Sequence, residues 1–139
     1  ENCHLHEFRV GNNRYAPSVN EEFDTALTAG DTDVRLCHVV TREKAKLRYT
    51  YDFGDGWRHS LTVEKILEPE AGARYPLCLA GKRACPPEDC GGTWGYANLI
   101  KAREHPDDPR HGELLEWAGH YDPEAFDLKA VNARLRHLH

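Results

Sequence analysis

Three cysteines crowd one short stretch, with six residues between Cys78 and Cys85 and four between Cys85 and Cys90. Thiolates are soft ligands. Three of them with one imidazole complete a tetrahedral zinc site, which can clip a loop that lacks regular hydrogen bonding. His59 is the candidate fourth ligand, because its strand pattern puts it among apolar neighbours on an inward face. Cys3, His4 and His6 are a second source of ligands. The spacing is not the paired Cys-x-x-Cys form, so three small, partly buried free thiols are the competing reading. Zinc is the cofactor this pattern points to.

Carboxylates stand in the same stretch. Glu88 and Asp89 follow Pro86-Pro87, which stiffen the chain, and precede Gly91-Gly92, which allow tight backbone turns. A glycine pair before a helix can cradle phosphate, but these acids would repel it. They suit a cation, an amine, or the dipole of a helix starting near Thr93, where each is worth about 0.3–1 kcal/mol. With Asp52, Asp55 and His59 they make a candidate acid–base or metal-assisted set for a hydrolase or lyase. Against that set, alternation turns Asp52 away from His59 and beside Arg58, and Asp55 reads as a turn residue. The chain has no nucleophile elbow, phosphate loop, dinucleotide fingerprint or zinc-protease helix, so no nucleotide cofactor is expected. The other use of these residues is a contact surface of Trp57, Glu88, Asp89, Gly91, Gly92 and Tyr96.

The elements that must carry them are legible in part. Leu47, Tyr49, Tyr51 and Phe53 alternate with polar residues, as do Trp57, His59, Leu61 and Val63 after Gly54-Asp55-Gly56. This is a hairpin. A three-residue loop, 54–56, keeps both apolar sets on one face. It sets Phe53 opposite Trp57, Tyr51 opposite His59 and Tyr49 opposite Leu61. The other face then pairs Asp52 with Arg58, Thr50 with Ser60 and Lys46 with Glu64. An earlier strand covers residues 6–10, a turn comes next at Gly11-Asn12-Asn13, and Arg14-Tyr15-Ala16 returns. Residues 17–33 read as a loop, and Val34, Leu36, Val39 and Val40 as one or two helical turns. Residues 68–93, rich in glycine and proline, form an irregular segment long enough to be functional, metal-held or disordered. Helices come after it: one with Tyr96, Leu99, Ile100 and Arg103 on a face, one capped at Asp108 and ended by Gly119, and one capped by Asp127 with Leu128, Val131, Leu135 and Leu138 on a stripe.

The chain has 139 residues, 40% apolar and 29% charged, which fits a single α+β domain: a small antiparallel sheet built on a central hairpin, packed with C-terminal helices. Net charge is −5 with histidines neutral, which argues against a whole-surface nucleic-acid binder. The basic residues are spread out and read as solvated faces, leaving open a patch assembled by folding. Trp57, Trp94, Trp117, Tyr49, Tyr51 and Tyr96 read as core rather than as base-stacking platforms. No apolar run reaches the roughly 20 residues that span a bilayer, and no leader opens the chain. A soluble cytoplasmic protein with no membrane partner is expected. Five cysteines cannot all pair internally, which favours thiols or metal over disulfides.

Two stretches carry a family likeness. Tyr49-Thr50-Tyr51-Asp52-Phe53-Gly54-Asp55-Gly56-Trp57-Arg58-His59, and the run from Cys78 through Gly81, Cys85-Pro86-Pro87-Glu88-Asp89-Cys90-Gly91-Gly92 to Gly95-Tyr96, resemble the signatures of the plasmid pRiA4b open-reading-frame-three family. His4-Leu5-His6-Glu7-Phe8 and Phe126-Asp127 with Asn132 are similar to its other signature segments. Members of that bacterial family usually open with a strand bearing a Pro-x-x-Trp-Arg-Arg type segment and a helix. Neither is here, so an N-terminally truncated chain is expected. The resemblance implies little about activity. Some relatives travel with insertion sequences or plasmids and carry a resolvase label, but this chain has no recombinase constellation. The rigid, polar Gly/Pro-rich loop and the lack of a complete catalytic set point to a binding or accessory module that meets a protein or DNA-associated partner through the loop 75–92 and the hairpin tip 54–57. The resemblance adds the DNA-associated, mobile-element setting. A metal-dependent hydrolase or lyase using Glu88, Asp89 and His59 is the alternative.

Overall fold

In the computed structural model, residues 4–17 and 28–137 are described. Cys3, Leu138 and most of the loop expected over residues 17–33 lie outside them. The fold is α+β. Its chain forms two compact units, residues 1–67 with 91–93, and residues 68–90 with 94–139.

The first unit holds a five-stranded sheet in the order β3-β2-β1-β4-β5. Its strands are β1 (His6–Val10), β2 (Asn13–Ala16), β3 (Thr28–Gly30), β4 (Lys46–Tyr51) and β5 (Trp57–Thr62). All neighbours are antiparallel except β2 and β3. Gly11, at φ +59°, makes the tight turn from β1 to β2. A 3-10 turn over Asp31–Asp33 and the single helical turn α1 (Leu36–Val39) come after β3. Phe8, Val10, Tyr15 and Leu47 on one sheet face line a concavity with Val34, Leu36 and Val39 from this segment. Leu47, Val40 and Ala16 are the buried apolar residues among the described residues of this unit.

The hairpin register differs from the expected one by two residues. Tyr51 stands opposite Trp57, Tyr49 opposite His59, Leu47 opposite Leu61, Thr50 opposite Arg58, Arg48 opposite Ser60 and Lys46 opposite Thr62. The loop is therefore 52–56 rather than 54–56. Asp52 is the cause. Its backbone is left-handed at φ +52°, its Oδ1 accepts from Gly54 N at 2.8 Å, and its carbonyl accepts from Gly56 N at 2.6 Å. An aspartate that hydrogen-bonds two residues ahead closes a turn on its own backbone, so the strand ends at Tyr51, two residues earlier than expected. Parity survives a shift of two, so the aromatic residues of both strands still share a face. The expected pairs Asp52–Arg58 and Lys46–Glu64 do not form.

The second unit carries the irregular segment and most of the helical chain. No regular element interrupts residues 63–91. The helices are α2 (Gly92–Glu104), α3 (His111–Ala118) and α4 (Leu128–Leu135). Leu99 and Ala102 of α2 are buried. Asp127 caps α4 as expected, accepting from Lys129 N and Ala130 N. Gly119 ends α3 at φ +59°. The start of α3 falls later than expected, because Asp108 binds Arg110 N and its guanidinium and so holds a turn ahead of the helix.

The irregular segment is held by side-chain and backbone groups from further along the chain. Asn132 on α4 accepts from Cys78 N at 2.8 Å and donates to Cys78 O at 2.9 Å, so one amide satisfies both backbone groups. Ala84 N donates to Pro123 O. The Phe126 ring lies so close to Gly81 that a Cβ there would come within 2.3 Å of it. These contacts join Cys78, Gly81, Phe126 and Asn132, residues far apart in sequence that carry the family likeness.

Candidate functional site

Side chains alternate across a sheet, so the register sorts the strand residues into two faces. One face is aromatic: Phe8 and Tyr49 have ring centroids 4.6 Å apart, and His59 packs on Tyr49 at 5.5 Å. His6 joins it and bonds Asp31 Oδ2 at 2.8 Å. The opposite face carries Glu7 and Arg9 on β1, Arg14 on β2, Lys46, Arg48 and Thr50 on β4, and Arg58, Ser60 and Thr62 on β5. Glu7 is the only acid among the strand positions of that face.

Glu7 is 8% exposed, and its carboxylate takes Arg9 Nε at 2.8 Å and Arg14 Nε at 2.7 Å. Burial pushes its pKa up, but the hydrogen bonds and charges of the two guanidiniums outweigh that and hold the carboxyl below its usual range. The pair of arginines is thereby anchored with one positive charge uncompensated. Lys46, Arg48 and Arg58 have no acid partner among the described residues. All three are exposed. Arg48, Arg58, Arg9, Thr50, Glu7 and Phe53 line an open concavity of about 330 Å³.

Phe53 reaches that concavity because of the turn. Simple alternation puts it on the aromatic face opposite Trp57. The left-handed Asp52 breaks the alternation, and Phe53 lines the polar side instead, 45% exposed.

The expected site residues divide between the units. Asp52 is a turn-former whose Oδ2 lies 3.4 Å from His4 Nδ1, and Arg58 does not neutralise it. Asp55 Oδ2 is shielded from solvent without a hydrogen-bond partner among the described residues. Gly92, at φ +62°, runs so close to Asp55 that a Cβ would sit 2.3 Å from its carbonyl oxygen. Trp57 keeps the aromatic face, and so does His59, but His59 is exposed rather than turned into a core. The reason is position: β5 is an edge strand of the sheet.

Glu88, Asp89, Cys78, Cys85, Cys90 and Tyr96 belong to the second unit. Asp89 is left-handed at φ +56° and Gly91 at +84°, so the expected tight turn precedes α2. Gly95 crosses the Cys90 carbonyl at a distance that leaves no room for a Cβ. The three sulfurs do not all lie within 4.8 Å of one another. Cys78 Sγ bonds Ala80 O at 3.4 Å, and partial burial, then the Glu88 charge, push the Cys85 thiol up. Tyr121 donates to Tyr96 at 3.2 Å; its phenol is pushed up by burial, by Tyr96 and by the nearby Cys85 and Cys90. Trp94 is 84% exposed and Trp117 50%, so neither is the core residue expected from composition.

Residues 1–130 match the sequence pattern of the plasmid pRiA4b ORF-3-like proteins. The chain belongs to that family. It is 39% identical over 132 residues to the uncharacterized protein y4hQ of Sinorhizobium fredii, a match that covers 94% of this chain and 65% of the relative. The chain thus spans just under two thirds of the length of that curated relative. Among solved structures it is similar to MM3350 of Methanosarcina mazei Go1, a protein of unknown function, with a TM-score of 0.80 and 32% identity over 94% of this chain and 74% of that one. Among the described residues, no helix of this family member is long and apolar enough to cross a membrane.

Along the linear chain Arg9, Arg14, Lys46, Arg48 and Arg58 look scattered. Their signal is the period of two: Lys46, Arg48 and Arg58 all occupy even positions of one hairpin, interleaved with Leu47, Tyr49 and Trp57.

Proposed function

We propose that this chain is a non-catalytic binding module of a DNA-associated or mobile-element system, and that the basic sheet face holds a nucleic-acid backbone. The observation that carries this reading is charge segregation. In a chain of net charge −5, one sheet face gathers Arg9, Arg14, Lys46, Arg48 and Arg58 around a single paired carboxylate. Guanidiniums with no acid partner among the described residues are suited to bidentate phosphate contacts, and Ser60, Thr50 and Thr62 add hydroxyl donors on the same surface. The family's plasmid name supports the mobile-element setting. The net negative charge of the chain confines binding to this face and opposes wrapping.

The test is binding of a labelled oligonucleotide by fluorescence anisotropy across a salt series. Each phosphate contact contributes a slope of about −0.7 for single strands and −0.9 for duplex in log K against log salt. Affinity that falls with salt, and that drops when Arg48 and Arg58 are replaced by alanine, supports the reading. Failure to bind any nucleic acid at low salt overturns it.

A further inference from the structure

The concavity on the basic face is built from more than charge. Arg48 and Arg58 flank Thr50, directly opposite Arg58 across the hairpin, and Phe53 completes the wall. Phe53 makes no ring contact with any aromatic side chain among the described residues and is 45% exposed. A large apolar ring held open beside two guanidiniums that have no acid partner among the described residues is not a packing solution, since the aromatic face on the other side of the same sheet was open to it by simple alternation. The volume, about 330 Å³, is at the lower end of small-ligand pockets, which run from about 300 to 1,000 Å³.

We infer that this concavity is a subsite for one nucleotide of a single strand. The phosphate lies on Arg48 and Arg58 with Thr50 donating, and the unpaired base stacks on Phe53. This rests on the nucleic-acid reading above and narrows it from any phosphate backbone to single-stranded nucleic acid. Duplex offers the same phosphates but keeps its bases stacked inside, out of reach of Phe53. Base–aromatic stacking tolerates every sequence, because each base has a π-face, so the subsite selects strandedness and not sequence.

The test uses three probes of equal length: a thymidine oligonucleotide, its abasic deoxyribose-phosphate counterpart, and a duplex. Binding of each is measured by competition at fixed salt for the natural chain, Phe53→Leu and Phe53→Trp. The thymidine strand is expected to outcompete the abasic strand by about tenfold. Phe53→Leu, checked for folding by circular dichroism, removes that preference and leaves abasic binding unchanged, while Phe53→Trp keeps it. Equal binding of thymidine and abasic strands, tighter binding of duplex, or indifference to Phe53→Leu overturns the single-strand subsite and leaves the backbone-binding function standing. Loss of all binding by all three probes overturns both.

Discussion

Arg58 stands across the hairpin from Thr50 and not from Asp52. That one relationship leaves its guanidinium without an acid among the described residues and turns an expected row of neutralised pairs into a basic face. Asp52 withdraws into the turn, where Gly54 N, Gly56 N and His4 engage it. The loop chemistry of Asp52-Phe53-Gly54-Asp55-Gly56 therefore sets the electrostatics of the strands beside it.

Glu7 anchors that face, and Glu7→Gln has two opposite effects. Leaving Arg9 and Arg14 without their carboxylate costs about 1–3 kcal/mol of stability. Removing the one acid tightens oligonucleotide binding several-fold. Urea denaturation reads the first and anisotropy the second. The pH dependence has a fixed sign. The folded pKa of Glu7 is lowered from its ordinary 4.5, so its contribution is full above that value and is lost as pH falls through the folded pKa. The natural chain loses stability below about pH 4.5 more steeply than Glu7→Gln does.

Asn132→Ala removes both hydrogen bonds to the Cys78 backbone. The loss is about 1–3 kcal/mol, with faster amide exchange at Cys78. Asn132→Asp keeps the acceptor for Cys78 N but sets a carboxylate against Cys78 O, so it does not restore exchange protection. Unchanged exchange in both variants would contradict the role given to this amide.

Two glycine substitutions differ in sign. Gly92→Ala puts a Cβ 2.3 Å from the Asp55 carbonyl at φ +62° and destabilises by more than about 1 kcal/mol. Gly112→Ala, on α3 with nothing within 4 Å of the new Cβ, stabilises by about 0.5–1 kcal/mol. Thermal melts of both variants check the contrast.

The Cys85 thiol is raised by burial and then by Glu88. Since the thiolate is the nucleophile, Glu88→Gln speeds alkylation of Cys85 by iodoacetamide at pH 8. Peptide mapping after timed labelling measures it. An unchanged rate would show that Glu88 does not act on that thiol.

The hairpin, the α4 cap at Asp127, the end of α3 at Gly119 and the irregular segment are legible in the sequence, because each is a local signal. Hairpin parity is legible too, but registers two residues apart share a parity, and only the hydrogen bonding of Asp52 separates them. The attractive pairing of Asp52 with Arg58 favours the wrong one. His59 is expected inward because alternation gives a face, while exposure depends on whether the strand is an edge. The basic face is hidden because Arg9 and Arg14 join Arg48 and Arg58 only through the pairing of β1 with β2 and β4. Neither composition nor a run of charges along the chain can show that pairing.

Salt-dependent binding of a thymidine oligonucleotide by two charge-matched double variants separates a dedicated basic face from bulk charge. Arg48→Glu/Arg58→Glu changes the basic face, whereas Arg74→Glu/Lys82→Glu makes the same change of net charge on exposed residues of the irregular segment. The first is expected to lose at least about tenfold in affinity with a slope shallower by about 1.4, and the second to lose little and keep the natural slope. Equal losses from both would show that net charge alone governs binding and would contradict a dedicated face.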